Sequence, residues 1–336
     1  DINKEISQLG IWIKTQQQNY KNNKFTMKNK KIYETWKKFI NDDKYTKYFM
    51  SNEEEWFNNL EQVKNLTYSI RELFKDNNYP ILIDQEGGKV NRFRKIINLD
   101  KYNAKYFGDI YKNDKTFYLK FNKFLKINIS ILKHCGININ TVPVLDLFNG
   151  NKKSVIGNRA FSKNNKIVIK LSKYLINFYK KYGLGTVTKH IPGHGCTNID
   201  SHFSLPKVGY SFDYLKKNDF KAFKEVNSYL SMTAHILYEK LDINNCATQS
   251  KKIIHDIIRK YLKFKGILMS DDICMKALSG GIIKNAKLSL DAGCNLLLHC
   301  SGNIDEMRKL SLIVPEIDNF TYKITEKLKA NFNKFN

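Results

Sequence analysis

Short apolar runs alternate with longer amphipathic stretches from residue 80 onward. The runs are ILID after Pro80, ININ leading into TVPVLDLF, GTVTKH, SYLSMTAH, ILMSDD and NLLLH. Their aliphatic and β-branched content predicts strands centred near Leu82, Ile139, Val187, Thr233, Leu268 and Leu296. Between them, apolar residues recur at helical spacing. A Lys-rich stretch running to about His134 reads as helical, as does KIVIKLSKYLINFYKKYG, stopped by Gly183. DYLKKNDFKAFKEV, SKKIIHDIIRKYLKFKG and the tail also read as helices, and ILMSDDICMKAL reads as a strand running directly into one. Residues 1–79 are more polar. There, GIWI at 10–13 is the candidate first strand. A helix is expected from about Asn52 to Phe74, with SNEEEW as its capped start and Trp56, Leu60, Val63, Leu66 and Ile70 as its apolar stripe.

Strands separated by helices have the connection length that parallel pairing needs. Polar residues gather where the strands end: Asp84, Asp146, Lys189 with His190, His235 and Asp271. An open doubly wound sheet would concentrate such groups at one switch point. Polar groups on five separate strand ends instead predict a (β/α)8 TIM-type barrel, in which all those ends meet on one face. No repeat or linker divides the chain, so residues 80–336 are expected to form a single barrel domain. Residues 1–79 supply at most its first β/α unit.

With 336 residues, 42% of them hydrophobic, the chain can build a large core. Its net charge of +25 comes from lysines scattered along the chain rather than blocked, which argues against a nucleic-acid partner. The six cysteines form no CxxC pair, as expected of reduced thiols in a cytosolic protein. No apolar run approaches the ~20 residues of a membrane-spanning helix, and no signal peptide is recognisable. There is no GxGxxG after a strand, no phosphate-cradling GxxxxGK[ST] and no GxSxG, so no cofactor is expected.

The scarce residue types concentrate in KHIPGHGCTNIDSH, residues 189–202. Two glycines and Pro192 shape a loop there. His190, His194 and His202 straddle that loop and do not share a helix face as in HExxH, so no metal is expected. Acid/base chemistry fits better. Asp200 and His202 lie two residues apart, and a carboxylate beside an imidazole fixes its tautomer and raises its basicity. Asp271, in SDD, is either a nucleophile or a helix cap. Asp84 and Arg92 are either a site pair beside the close-approach Gly87-Gly88 or a structural cap and its ion pair.

Taken in order, DQEGGKVNRF, VPVLDL with VIGNRAF, KHIPGHGCTNIDSH, MTAH and SDDICMKA resemble glycoside hydrolase family 3 from about Pro80 to Cys300. The resemblance is to its single-domain β-N-acetylglucosaminidases of peptidoglycan recycling, and KHxPGHGx4DSH is its most specific element. It implies a retaining mechanism with Asp271 as nucleophile and Asp200–His202 as acid/base dyad. Asp84, Arg92, Arg159, Lys189 and His190 match residues that hold the sugar. The implied substrate is GlcNAc linked β-1,4 to 1,6-anhydro-N-acetylmuramic acid, with or without peptide. Such a protein is expected to be a cytoplasmic monomer with a small saccharide or muropeptide as partner, and no nucleic acid or membrane. The dyad departs from the usual pair of carboxylates about 5 Å apart in retaining enzymes. Lys89, Cys196 and Asn295 depart from common family residues, and the polar N-terminal region departs from the family's clear first strand. Two alternatives are an exo-β-glycosidase of other specificity and a degenerate barrel that binds muropeptide without turnover.

Overall fold

Side chains alternate along each strand, and both faces of this sheet are covered. In β7 (Ile267–Asp272), Ile267 and Met269 pack into one apolar cluster while Leu268 packs into another. The first cluster also takes Leu82, Ile139, Val187, Leu230, Met232, Leu296 and Leu298. It is the inside of a barrel wall, and the second is the layer between the strands and the helices. Burying each such side chain stabilises the fold by roughly 1.5–3 kcal/mol.

The computed structural model describes residues 59–332 except 152, 153 and 198. Its main sheet has six strands, β1 (Leu82–Ile83), β2 (Ile139–Asn140), β3 (Gly185–Ile191), β5 (Leu230–Thr233), β7 and β8 (Leu296–Leu298). They are joined in that order, and every neighbouring pair is parallel. Neighbour order follows chain order with no reversal, which is a barrel wall and not a doubly wound sheet. Helices α1 (Leu60–Phe74), α2 (Ala104–Ile110), α3 (Phe117–His134) and α4 (Asn165–Lys181) precede β3. Then come α5 (Phe212–Lys217), α6 (Asp219–Glu225), α7 (Ile282–Ala292), α8 (Ile304–Ile313) and α9 (Asn319–Phe332). Leu328 and Phe332 of α9 join the inner cluster. No helix among the described residues is long and apolar enough to cross a membrane.

Local signals explain the element ends. Asn164 caps α4 by accepting the Lys166 N–H at 2.9 Å, and the chain leaves that helix through Gly183 at φ +75°. Several expectations need correction. The N-cap of α1 is Asn59, which accepts the Gln62 N–H; GIWI and SNEEEW lie outside the described residues. The TVPVLDLF strand does not run on to Asp146. Regular pairing stops at Asn140, Pro143 has no N–H to give, and Val144 returns only through an isolated bridge to Lys189. DYLKKNDFKAFKEV breaks into α5 and α6 at Asn218. ILMSDDICMKAL does not enter a helix. The Asp272 side chain accepts the backbone N–H groups of Cys274 and Cys300, and Asn285 holds the Ile273 and Leu278 carbonyls. These bonds hold a folded loop until α7 starts after Gly281. Ile253–Tyr261 winds as a π-helix that buries Ile253, Ile254, Ile257 and Ile258; nothing in its sequence accounts for the wider winding. A small parallel pair, β4 (Lys207–Val208) with β6 (Leu237–Tyr238), joins the chain after the dyad loop to the chain after β5.

Candidate active site

Lys189 leaves β3 almost wholly buried, and its ammonium bridges two carboxylates. Nζ lies 2.8 Å from Asp84 Oδ1 and 2.6 Å from Glu86 Oε1, and donates to the Thr141 hydroxyl at 2.9 Å. The Arg159 fork holds Glu86 from the other side, with Nε and Nη2 each 2.9 Å from a carboxylate oxygen. Asp84 also accepts the Thr141 hydroxyl and meets Arg92 Nη2 at 3.5 Å. Burial alone would raise both carboxyls. For Asp84, Lys189 and then Arg92 outweigh burial and hold it well below the carboxylate range. For Glu86, Arg159 and then Lys189 bring it down to about 2. Both acids are therefore ionised at neutral pH. The backbone loop beneath them is tight: a Cβ on Gly87, at φ +91°, would sit 2.4 Å from the Tyr102 carbonyl oxygen.

Asp146 sets the next stretch. It is fully buried and accepts the backbone N–H of His190 at 3.1 Å and of His194 at 2.7 Å. It also holds His190 Nδ1 at 2.6 Å. Burial pushes its carboxyl up, but His190 leads the groups that pull it below its ordinary value. One carboxylate thus fixes the path from the end of β3 into the glycine loop. His194 is buried against His190, and burial pushes it down to about 4, so its ring is neutral.

Asp271 sits at the end of β7, partly exposed. Its Oδ1 accepts the Asp272 N–H at 2.8 Å. Burial raises its carboxyl, and His190 leads the groups that overcome that, leaving it below the ordinary value and ionised. On the loop after β3, His202 Nδ1 lies 2.7 Å from Asp200 Oδ1, which also accepts the His202 N–H at 2.9 Å. Burial would raise Asp200, but those bonds from His202 bring it down. His202 is 61% exposed on its side chain, so its second nitrogen is open to a ligand. The loop is not loose at its centre. The Ser201 carbonyl accepts the Ala277 N–H at 3.1 Å, which ties the dyad to the loop that follows Asp271.

Of the residues expected from sequence, Asp84 joins Arg92 to Lys189, and Arg159 joins Lys189 through Glu86. His190 is held by Asp146, and Asp200 pairs with His202 on the tethered loop. Sequence reading missed Glu86, whose two cationic partners lie far along the chain, and Thr141. It placed Asp146 at a strand end without a role. Among the described residues, one trio brings metal-donor atoms within 4.8 Å of one another, Cys274, His299 and Glu306; it includes none of the three loop histidines.

Comparison with known proteins follows the same lines. The profile of the glycosyl hydrolase family 3 N terminal domain matches residues 2–329. A β-hexosaminidase of Neisseria gonorrhoeae (strain ATCC 700825 / FA 1090) is 35% identical over 265 residues, which cover 75% of this chain and 71% of that protein. Among solved structures, NagZ from Neisseria gonorrhoeae in complex with N-trifluoroacetyl-D-glucosamine superposes with a TM-score of 0.72 at 32% identity. The match covers 81% of this chain and 80% of that one. A family 3 β-N-acetylglucosaminidase from Paenibacillus sp. str. FPU-7 superposes at 0.69 with 26% identity; the match covers 81% of this chain but 54% of that longer one. The chain belongs to glycosyl hydrolase family 3, through the N-terminal domain of that family.

Proposed function

We propose that the protein is a retaining exo-β-N-acetylglucosaminidase. In this reading it releases terminal β-1,4-linked GlcNAc from GlcNAc-1,6-anhydro-N-acetylmuramic acid, with or without its peptide, during cell-wall recycling in the cytoplasm. The observation that carries the reading is the tether between Ser201 and Ala277, because it links an exposed Asp–His pair to the loop of an ionised aspartate. The relatives' printed names support the sugar.

The chemistry divides between the two loops. Asp271 Oδ1 is engaged by the Asp272 N–H, so Oδ2 attacks the anomeric carbon. As that bond forms, the glycosidic C–O bond breaks and its electron pair goes to the leaving oxygen. His202 protonates that oxygen through Nε2, while Asp200 on Nδ1 stabilises the charged ring. In the second half His202 removes a proton from water, which attacks the glycosyl ester and frees Asp271. Once it has given up this proton the imidazole is neutral, so it places no second negative charge beside the ester. Asp84, Arg92, Lys189 and His190 hold the sugar hydroxyls and N-acetyl group. Arg159 contributes through Nη1, since its other nitrogens are occupied by Glu86.

The alternative within the family is an exo-β-glycosidase of other sugar specificity. Release of p-nitrophenol from the β-N-acetylglucosaminide and the β-glucoside separates the two. The proposal expects kcat/KM for the N-acetyl sugar to exceed that for glucose by at least about 10²-fold, since a site built to bond the amide leaves polar groups unpaired without it. Equal or reversed preference would reject it, and turnover of neither would reject the enzyme.

A further inference from the structure

The MTAH segment at the end of β5 has no place in the chemistry above, yet its side chains close a ring around the nucleophile's backbone. The Asp271 N–H points to the Thr233 hydroxyl at 3.3 Å. Thr233 Oγ1 lies 2.8 Å from Thr248 Oγ1, and Thr248 Oγ1 lies 2.8 Å from His235 Nδ1. His235 Nε2 then meets the Asp272 carbonyl at 2.9 Å. Thr233, His235 and Thr248 are all fully buried, so no solvent competes for these bonds.

For the neutral His235 ring that burial favours, one proton arrangement satisfies every member. A carbonyl only accepts, so His235 carries its proton on Nε2 and donates to Asp272. Burial lowers the pKa of His235, and a neutral ring leaves Nδ1 as an acceptor. Thr248 must then give its hydroxyl proton to Nδ1 rather than to the Ala234 carbonyl at 3.1 Å. Thr233 gives its own to Thr248, and its lone pair receives the Asp271 N–H. Each bond points from Asp271 through Thr233, Thr248 and His235 back to Asp272, and bonds aligned in this way reinforce one another. The ring grips the N–H before the Asp271 Cα and the carbonyl one peptide beyond it. Held at those two points, the backbone that carries the carboxylate is restrained on both sides of the Asp271 Cα.

We propose that His235 and Thr248 are positioning residues that aim the Asp271 carboxylate at the anomeric carbon through this ring. Neither touches the sugar; they act on the covalent step and not on binding. The inference rests on Asp271 being the nucleophile, and its test separates the two claims. An activated fluorosugar that traps the glycosyl-enzyme is first applied to the unaltered protein, where a label on Asp271 establishes that reading. The first-order labelling rate is then measured for Thr248→Val, which keeps the shape and loses the hydroxyl, for Thr248→Ser, which keeps the hydroxyl, and for His235→Phe. Misplacing a reacting group by about 1 Å can cost on the order of 10²-fold. Thr248→Val and His235→Phe are therefore expected to label at least about 10-fold more slowly, with affinity for free GlcNAc within about 2-fold of the unaltered protein. Thr248→Ser is expected to restore the rate. If His235→Phe does not fold, the two Thr248 variants decide alone. Unchanged labelling in Thr248→Val, or a parallel loss of GlcNAc affinity, overturns the proposal.

Discussion

Replacing Lys189 by Met tests the electrostatic centre of the site. Methionine keeps the length of the side chain and removes its charge. The Lys189 and Glu86 side chains are 2% and 6% exposed, so water cannot substitute for the lost ammonium. Asp84 retains Arg92 as its cationic partner, at 3.5 Å, with the Thr141 hydroxyl, and Glu86 retains Arg159. Removing one partner of a buried ion pair destabilises by about 3–5 kcal/mol, because the remaining charge stays desolvated. The loss should depend on pH. Both carboxyls lie below their ordinary values of 3.8 and 4.5, with Glu86 at about 2. The stability they contribute is fully present above those ordinary values and is lost as pH falls through the folded ones. In Lys189→Met the burial cost acts on the carboxylates with less opposition, so they take up protons at higher pH. The difference from the unaltered protein in urea unfolding is therefore expected to be largest at pH 7 and to shrink toward pH 4. Lys189→Met paired with Glu86→Gln should recover part of the loss at pH 7. A deficit under about 1 kcal/mol at pH 7, or one that does not change with pH, would refute the reasoning.

Other outcomes follow from the loops. His202→Ala is expected to lower turnover of a disaccharide by about 10²–10³-fold and of the p-nitrophenyl glycoside much less, because p-nitrophenolate leaves with little protonation. Asp200→Ala should act in the same direction; equal losses on both substrates would make the loop structural. Asp219 lies under that loop beside Cys196, and burial raises it to about 6. An acid raised in the folded state stabilises as pH falls through that value and costs stability above it. Asp219→Asn should therefore melt higher than the unaltered protein at pH 8 and gain little at pH 5; a lower melting temperature at pH 8 would contradict this. Asp271→Ala should abolish turnover and keep cooperative unfolding, since its carboxylate is partly exposed at a strand end.

The sheet was legible because strands buried on both faces begin as short aliphatic or β-branched runs, as ILID, GTVTKH and ILMSDD do, with the polar residues at their ends. Gly183 marks the end of α4 by a local signal too, whereas the helix expected to run to Gly266 stops at Tyr261, and Gly266 lies just before β7. Paired two-residue elements carry no such period, so β4 and β6 were invisible, as was the break at Asn218 inside an amphipathic pattern. The helix read after SDD was wrong because aspartate is a good cap; here Asp272 spends its oxygen on Cys274 and on Cys300, which lies in another loop. Glu86 was overlooked for a related reason. Beside Gly87-Gly88 it reads as part of a turn, and its meaning comes from Arg159 and Lys189, which only the closed barrel wall brings to it. Likewise the Asp–His spacing suggested a dyad, whereas the bond from Ala277 to Ser201 that ties it to Asp271 has no sequence signature.

The central claim is that Asp271 forms a covalent bond to the sugar while the Asp200–His202 pair handles the proton. Peptide mapping by mass spectrometry, after trapping with an activated N-acetylglucosaminyl fluorosugar, reads that bond directly. The account predicts one added glycosyl group on the peptide containing Asp271, with fragment ions placing it on that residue, and none in Asp271→Ala. A label on Asp272 or Glu86, or turnover without any trapped adduct, would contradict it.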